Sequence, residues 1–249
     1  MKRSVLLIAF VAVTTAAFAQ TARRAPRGLT FASDLQTVPV MANNAGRAGV
    51  QFQTYVAILN PTSSAFAVQA TLHTNTGAQH EATINLAAGQ QQTYQNFLDD
   101  VFHYTGSGAV TFRSPDAADR FVVNAEVYTA NGERYGTAIP ALEFAGTASP
   151  SFVPGIEVGE ETRTNVGCFN QSALANNVTV TYYDATGQQV LGTATLPLPA
   201  SGWSQTNVTA IVSGGYVRFE PEDTAVCYAV VLDNETNDGR FLSAAEYTP

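Results

Sequence analysis

The feature that most constrains this chain is a repeat of itself: Thr54-Tyr-Val-Ala-Ile-Leu-Asn60 aligns with Thr164-Asn-Val-Gly-Cys-Phe-Asn170 at an offset of 110. The correspondence extends in both directions. Val38-Pro39 matches Val153-Pro154, Thr76-Gly77 matches Thr186-Gly187, Leu86 matches Leu196, and Gly108-Ala-Val-Thr-Phe112 matches Gly215-Tyr-Val-Arg-Phe219. Such spacing predicts two copies of one domain, at residues 35–145 and 150–249, joined by the small and turn-forming residues 145–150. Each copy is then expected to fold alone.

Within each copy the hydrophobic period is two. Val178 to Tyr183 alternates branched apolar with hydroxyl side chains, Asp184-Ala-Thr-Gly187 turns the chain, and Val190 to Leu198 resumes an extended pattern. The first copy repeats this hairpin with Phe66 to Thr74, Asn75-Thr-Gly77 and His80 to Leu86. Later strands are expected at Val110–Arg113, Arg120–Thr129 and Thr137–Leu142, and again at Tyr216–Glu220, Thr224–Leu232 and Phe241–Ala245; only Asn96 to Tyr104 suits a helical turn. About seven short strands per copy predict an all-β fold, two tandem antiparallel β-sandwich domains arising by internal duplication.

The N-terminus predicts export. Met1-Lys2-Arg3 precedes the apolar run Val5–Val13, and Ala17-Phe18-Ala19 supplies small residues at a cleavage site, so residues 1–19 read as a signal peptide and 20–34 as a flexible leader. The apolar run is shorter than the roughly 20 residues of a spanning helix. With no cysteine near residue 20 and a polar end at Tyr247-Thr248-Pro249, no stable membrane anchor is expected, and the mature chain is assigned to the periplasm or the exterior.

An oxidising destination gives the two cysteines meaning. Cys168 and Cys227 stand where the first copy has Ile58 and Val123, so one copy has sulfur at both places and the other an apolar side chain at both. That substitution pattern predicts a disulfide joining positions that touch across the core.

Charge excludes further functions. The net charge is −8, and removal of Lys2 and Arg3 takes it to −10 and leaves no lysine. A Schiff-base or P-loop lysine is therefore ruled out of the mature chain, and binding of nucleic acid is not expected. No nucleophile elbow, His-Glu-x-x-His run or phosphate loop occurs. His73, His80 and His103 all lie in the first copy, where His73 and His80 approach across a hairpin, but they are expected on its surface without a metal. Asp99-Asp100, Glu160-Glu161 and the cluster Glu220, Glu222, Asp223 are the carboxylate groups that a hydrolase would need. Asp233, Glu235 and Asp238 are weak candidates for calcium, because Asp238 and Ala244 occupy the places where a regular loop has glycine and glutamate. No cofactor is expected. Trp203, Tyr182, Tyr183 and Tyr216 form a candidate sugar-stacking face.

The segment Thr54 to Val68, in which a strand ends at Asn60-Pro61, and the turn Leu86-Ala-Ala-Gly-Gln-Gln-Gln-Thr93 resemble bacterial exported Ig-like and CARDB-like adhesion modules. The whole chain is similar to secreted bacterial proteins built from two such sandwiches in tandem. The second copy departs from the pattern, with Gln171 in place of proline and Leu196-Pro-Leu-Pro-Ala-Ser-Gly202 in place of the shorter turn. The resemblance implies a non-catalytic binding or structural module contacting an extracellular protein or polysaccharide; it supplies no binding residue. Rival expectations are a carbohydrate-binding module and, further behind, a metal-assisted or carboxylate hydrolase.

Overall fold

The computed structural model describes residues 32–143 and 146–247. The expected signal peptide and most of the leader lie outside the described residues. Strands β1 (Leu35–Ala45), β2 (Gln51–Leu59), β3 (Phe66–Thr74), β4 (Gln79–Leu86), β5 (Gln91–Tyr94), β6 (Gly106–Arg113), β7 (Val122–Thr129) and β8 (Gly136–Ile139) build the first half, with an α-helix, α1 (Phe97–Phe102), and a 3-10 turn at Arg47–Gly49. The second half holds β9 (Ser151–Val158), β10 (Thr162–Asn170), β11 (Asn176–Tyr183), β12 (Val190–Leu198), β13 (Trp203–Asn207), β14 (Val212–Pro221), β15 (Ala225–Asp233), β16 (Gly239–Ser243) and the short β17 (Ala245–Glu246). All the pairings are antiparallel. The fold is an all-β sandwich architecture.

Strand order repeats between the halves. Sheet I runs β4-β3-β6-β1 and sheet II runs β5-β2-β7-β8; sheet III runs β13-β10-β15-β16 and sheet IV runs β12-β11-β14-β9-β17. Strand β1 belongs to both of the first two sheets, because its register with β6 breaks between Val38 and Met41 and its last residues, Asn44 and Ala45, pair with β2. Pro39 sits at that break, where a missing N–H costs no ladder bond.

Two buried polar residues hold the same place in each half. Thr54 Oγ1 accepts from the Ala42 amide and donates to the Ala42 carbonyl; Thr164 does the same to Glu157. The Asn60 amide donates to the carbonyls of Ser64 and Ala87 and accepts from the Thr62 amide, while Asn170 donates to Leu174 and Pro199 and accepts from Ser172. Each asparagine is fully buried and ties a strand end to the turn that follows the fourth strand of its half. Burial of these four side chains is tolerated because each is bonded.

The disulfide forms between Cys168 and Cys227, but not across the core. The two residues are direct cross-strand partners on β10 and β15 of one sheet, just as Ile58 faces Val123 on β2 and β7. The substitution pattern therefore identified neighbours without identifying the plane they share.

The halves are not packed like beads on a string. On sheet III, Val166, Cys168, Cys227 and Ala229 face sheet IV and form the second core, whereas Phe169, Trp203, Tyr228, Val230 and Leu232 join the core cluster of the first half. Strand β13 lies against β3 and β6, β15 against β1, and β16 against β8. Sheet III is thus apolar on both faces, which is why Ala225 to Leu232 is buried without interruption. Along this seam five residues of sheet III extend the core cluster of the first half, while the second half keeps a core of its own between sheets III and IV.

Candidate functional site at the seam between the sandwiches

Strand periodicity places every second residue of β10, β13 and β15 toward the first half. One end of this face is aromatic. Tyr228 is fully buried, with its ring over Gly167, where any Cβ would collide with the phenol. Its hydroxyl accepts from Trp203 Nε1 at 3.0 Å and donates to Gln205 Oε1 at 3.0 Å. Burial pushes the phenol well above its ordinary pKa, so the hydroxyl stays a neutral donor. His73, on β3, closes this end: Nδ1 donates to the Ser201 carbonyl at 2.8 Å, Nε2 accepts from Thr111 Oγ1 at 2.9 Å, and the ring lies 4.6 Å from that of Phe169. Desolvation lowers its pKa, and the bond to Ser201 only partly offsets this.

The other end of the face is polar and open. Arg163, Asn165, Gln205 and Asn207 line a cleft of about 430 Å³ whose opposite wall is Val40, Ala42, Phe52, Val127 and Ile139 of the first half, with Arg47 at its mouth. This volume falls in the range of small-ligand sites, about 300–1,000 Å³, and its position between two units is a common one for them. Arg47 and Arg163 both donate to Asn234 Oδ1, each at 3.2 Å. Arg163 also reaches the Asp233 carbonyl at 3.0 Å and Asn237 Oδ1 at 2.6 Å. Among the described residues the ion pairs are Arg134–Glu126, Arg218–Glu220 and Arg240–Glu157, so neither cleft arginine has a carboxylate within 4.0 Å. Burial and then the Arg47 charge lower the Arg163 pKa, and Asp233 offsets part of this.

The residues singled out from the sequence do not converge here. Trp203 and Tyr182 are both buried, Trp203 at the seam and Tyr182 in the core between sheets III and IV, while Tyr183 and Tyr216 stack at 4.7 Å on the outer face of sheet IV beside Phe152. Tyr182 and Tyr183 are successive strand residues and must point to opposite sides, so the four rings do not form one stacking face. The Asp233 carboxylate accepts from the amides of Glu235 and Thr236 and from the Thr236 hydroxyl, which makes residues 233–238 a self-capped turn; Asp238 caps Gly239. Among the described residues no group of three or more His, Cys, Asp or Glu is placed to hold a metal. His73 is buried rather than on the surface, and His80 pairs with Leu72 in the hairpin, which turns the two imidazoles to opposite faces. Arg47 and Arg163, separated by more than a hundred residues, carried no local signal that would have joined them. No protein-family model and no curated protein matches this chain.

Proposed function

We propose that this protein is an exported, non-catalytic binding module that engages an extracellular polymer or partner at the seam between its two sandwiches. The observation that carries this reading is the cleft itself, where an apolar wall from the first half faces amides and two arginines from both halves. Most of the cleft lining stands on strands, with Arg47 on the short 3-10 turn Arg47–Gly49 beside them, so its walls are largely preformed. The amide-rich floor suits hydroxyl groups and favours a polysaccharide over a protein surface, which would want more apolar contact area. Export is supported by the signal-like N-terminus and by the disulfide, a bond that persists in oxidising compartments. A glycan array probed with the mature chain and with Asn207→Trp tests the reading. Asn207 is exposed at the lip of the cleft, so the larger ring obstructs entry without entering a core. Array signals that the variant loses support the proposal; signals that it retains in full place binding elsewhere and refute it.

A further inference from the structure

The cleft offers two unmatched chemistries side by side. Arg47 and Arg163 supply guanidinium groups whose partners among the described residues are neutral oxygens. Two residues along the same strand face, Asn165 keeps a buried Oδ1 with no hydrogen-bond partner among the described residues. An unbonded buried amide oxygen costs about 1–3 kcal/mol, and guanidinium groups bind carboxylates through charge-assisted, paired hydrogen bonds. A ligand that answers both needs must carry an anion for the arginines and a hydroxyl donor for the asparagine. Two residues of extended chain span about 6.6 Å, which sets the separation of the two ligand groups at a few ångströms after the side chains reach inward.

We infer that the cleft recognises a hydroxylated carboxylic acid of the sugar-acid type, with its carboxylate between Arg47 and Arg163 and a ring hydroxyl donating to Asn165. The apolar wall of Val40, Phe52 and Val127 then packs against the C–H face of the sugar ring. Rotation about χ2, which is soft in asparagine, turns Oδ1 toward that hydroxyl. Plain anions satisfy only the arginines and neutral sugars only the asparagine, so neither accounts for the pair. This inference rests on the cleft being the binding site.

Isothermal titration of the full mature chain with sodium glucuronate, glucose, sodium acetate and an oligo-uronate of three residues tests it. Glucuronate should bind at least tenfold more tightly than either glucose or acetate, and Arg47→Gln, at an exposed position where the fold is not at stake, should remove most of that preference. Arg163→Gln should do the same, and Asn165→Leu should weaken glucuronate while leaving acetate unchanged. Equal binding of glucose and glucuronate, both blocked by Asn207→Trp, overturns the acid preference and leaves the cleft standing. Binding of glucuronate that Asn207→Trp leaves intact overturns both. Absence of glucuronate binding overturns the sugar-acid inference, and array signals lost in Asn207→Trp would then still support the cleft. A trimer that binds more than tenfold better than the monomer identifies an acidic polysaccharide as the source; equal affinities identify a free or terminal sugar acid.

Discussion

Phe169→Ala probes whether the two sandwiches unfold as one body. Phe169 is 3% exposed, lies on the face of sheet III turned toward the first half, and packs against the His73 ring. Truncating a buried phenylalanine costs about 3–5 kcal/mol, and here the cavity opens at the seam rather than inside either sandwich. For a urea m-value of about 3 kcal/mol/M, expected of a fold this size, the midpoint should fall by roughly 1–2 M. The chain supplies its own reporter, because its single tryptophan, Trp203, sits in the same seam. In the unmodified protein, tryptophan fluorescence and far-UV circular dichroism should trace one coincident transition. In Phe169→Ala both signals should move together. If circular dichroism instead resolves two steps, and the variant moves only the step that fluorescence follows, the halves unfold separately and the seam does not couple them. A midpoint shift below about 0.3 M would likewise refute the packing argument.

Three further outcomes follow from other residues. Asn170→Ala and Asn60→Ala should each cost about 2–3 kcal/mol, since each removes hydrogen bonds from buried backbone groups; denaturant titrations of the single and double variants should show additive losses in one transition. Acidification should destabilise the protein through His73: its lowered folded pKa means that the unfolded chain takes up the proton first, so stability is complete above about pH 7 and declines as pH falls through about 6.5. Thermal melts between pH 7.5 and 5.5 should show a decline that His73→Gln lacks. Intact-mass measurement after alkylation without reductant should show no added groups, and reduction of the bond between Cys168 and Cys227, 59 residues apart, should cost up to about 4 kcal/mol.

Hairpins were legible because their two signals are local. Phe66–Thr74 alternates and then turns at Asn75 to Gly77, and the strand found there has those same limits. The asparagine at each strand end was visible as a repeated letter, though its reach to a turn more than twenty residues away was not. The seam left one readable trace, the unbroken apolar run from Ala225 to Leu232, which a strand needs when both of its faces are covered. Strand β1 was harder: it changes sheets midway and is buried along most of its length, so no alternation marks it. The cleft was illegible for another reason. Its arginines meet only through the packing of one half on the other, and that packing depends on which outer face each sandwich presents. The apolar run on β15 records that this sheet is covered, but no local pattern names the strands of the first half that cover it.

The seam joins unlike faces, since a second-half sheet of one kind covers a first-half sheet of the other kind. An interface of this sort does not close on itself; with identical units it would add another unit at each end. The matching faces of this chain carry different residues. The positions held by Phe169, Trp203, Tyr228 and Val230 on sheet III correspond, through the paired registers, to Leu59, Gln91, Asn124 and Glu126 on sheet II. Glu126 is engaged there with Arg134, so burying that face would strip water from an ion pair. At the opposite end, Arg218 with Glu220 stands on sheet IV where sheet I has Thr111. The sheet II end is therefore a polar face, whereas the sheet IV end sets an ion pair beside the stacked rings of Tyr183 and Tyr216 and beside Phe152. Replacing Gln91 and Asn124 by aromatic residues and Glu126 by an aliphatic one should turn sheet II into an apolar outer face that drives self-association, read as a rise in mass with concentration.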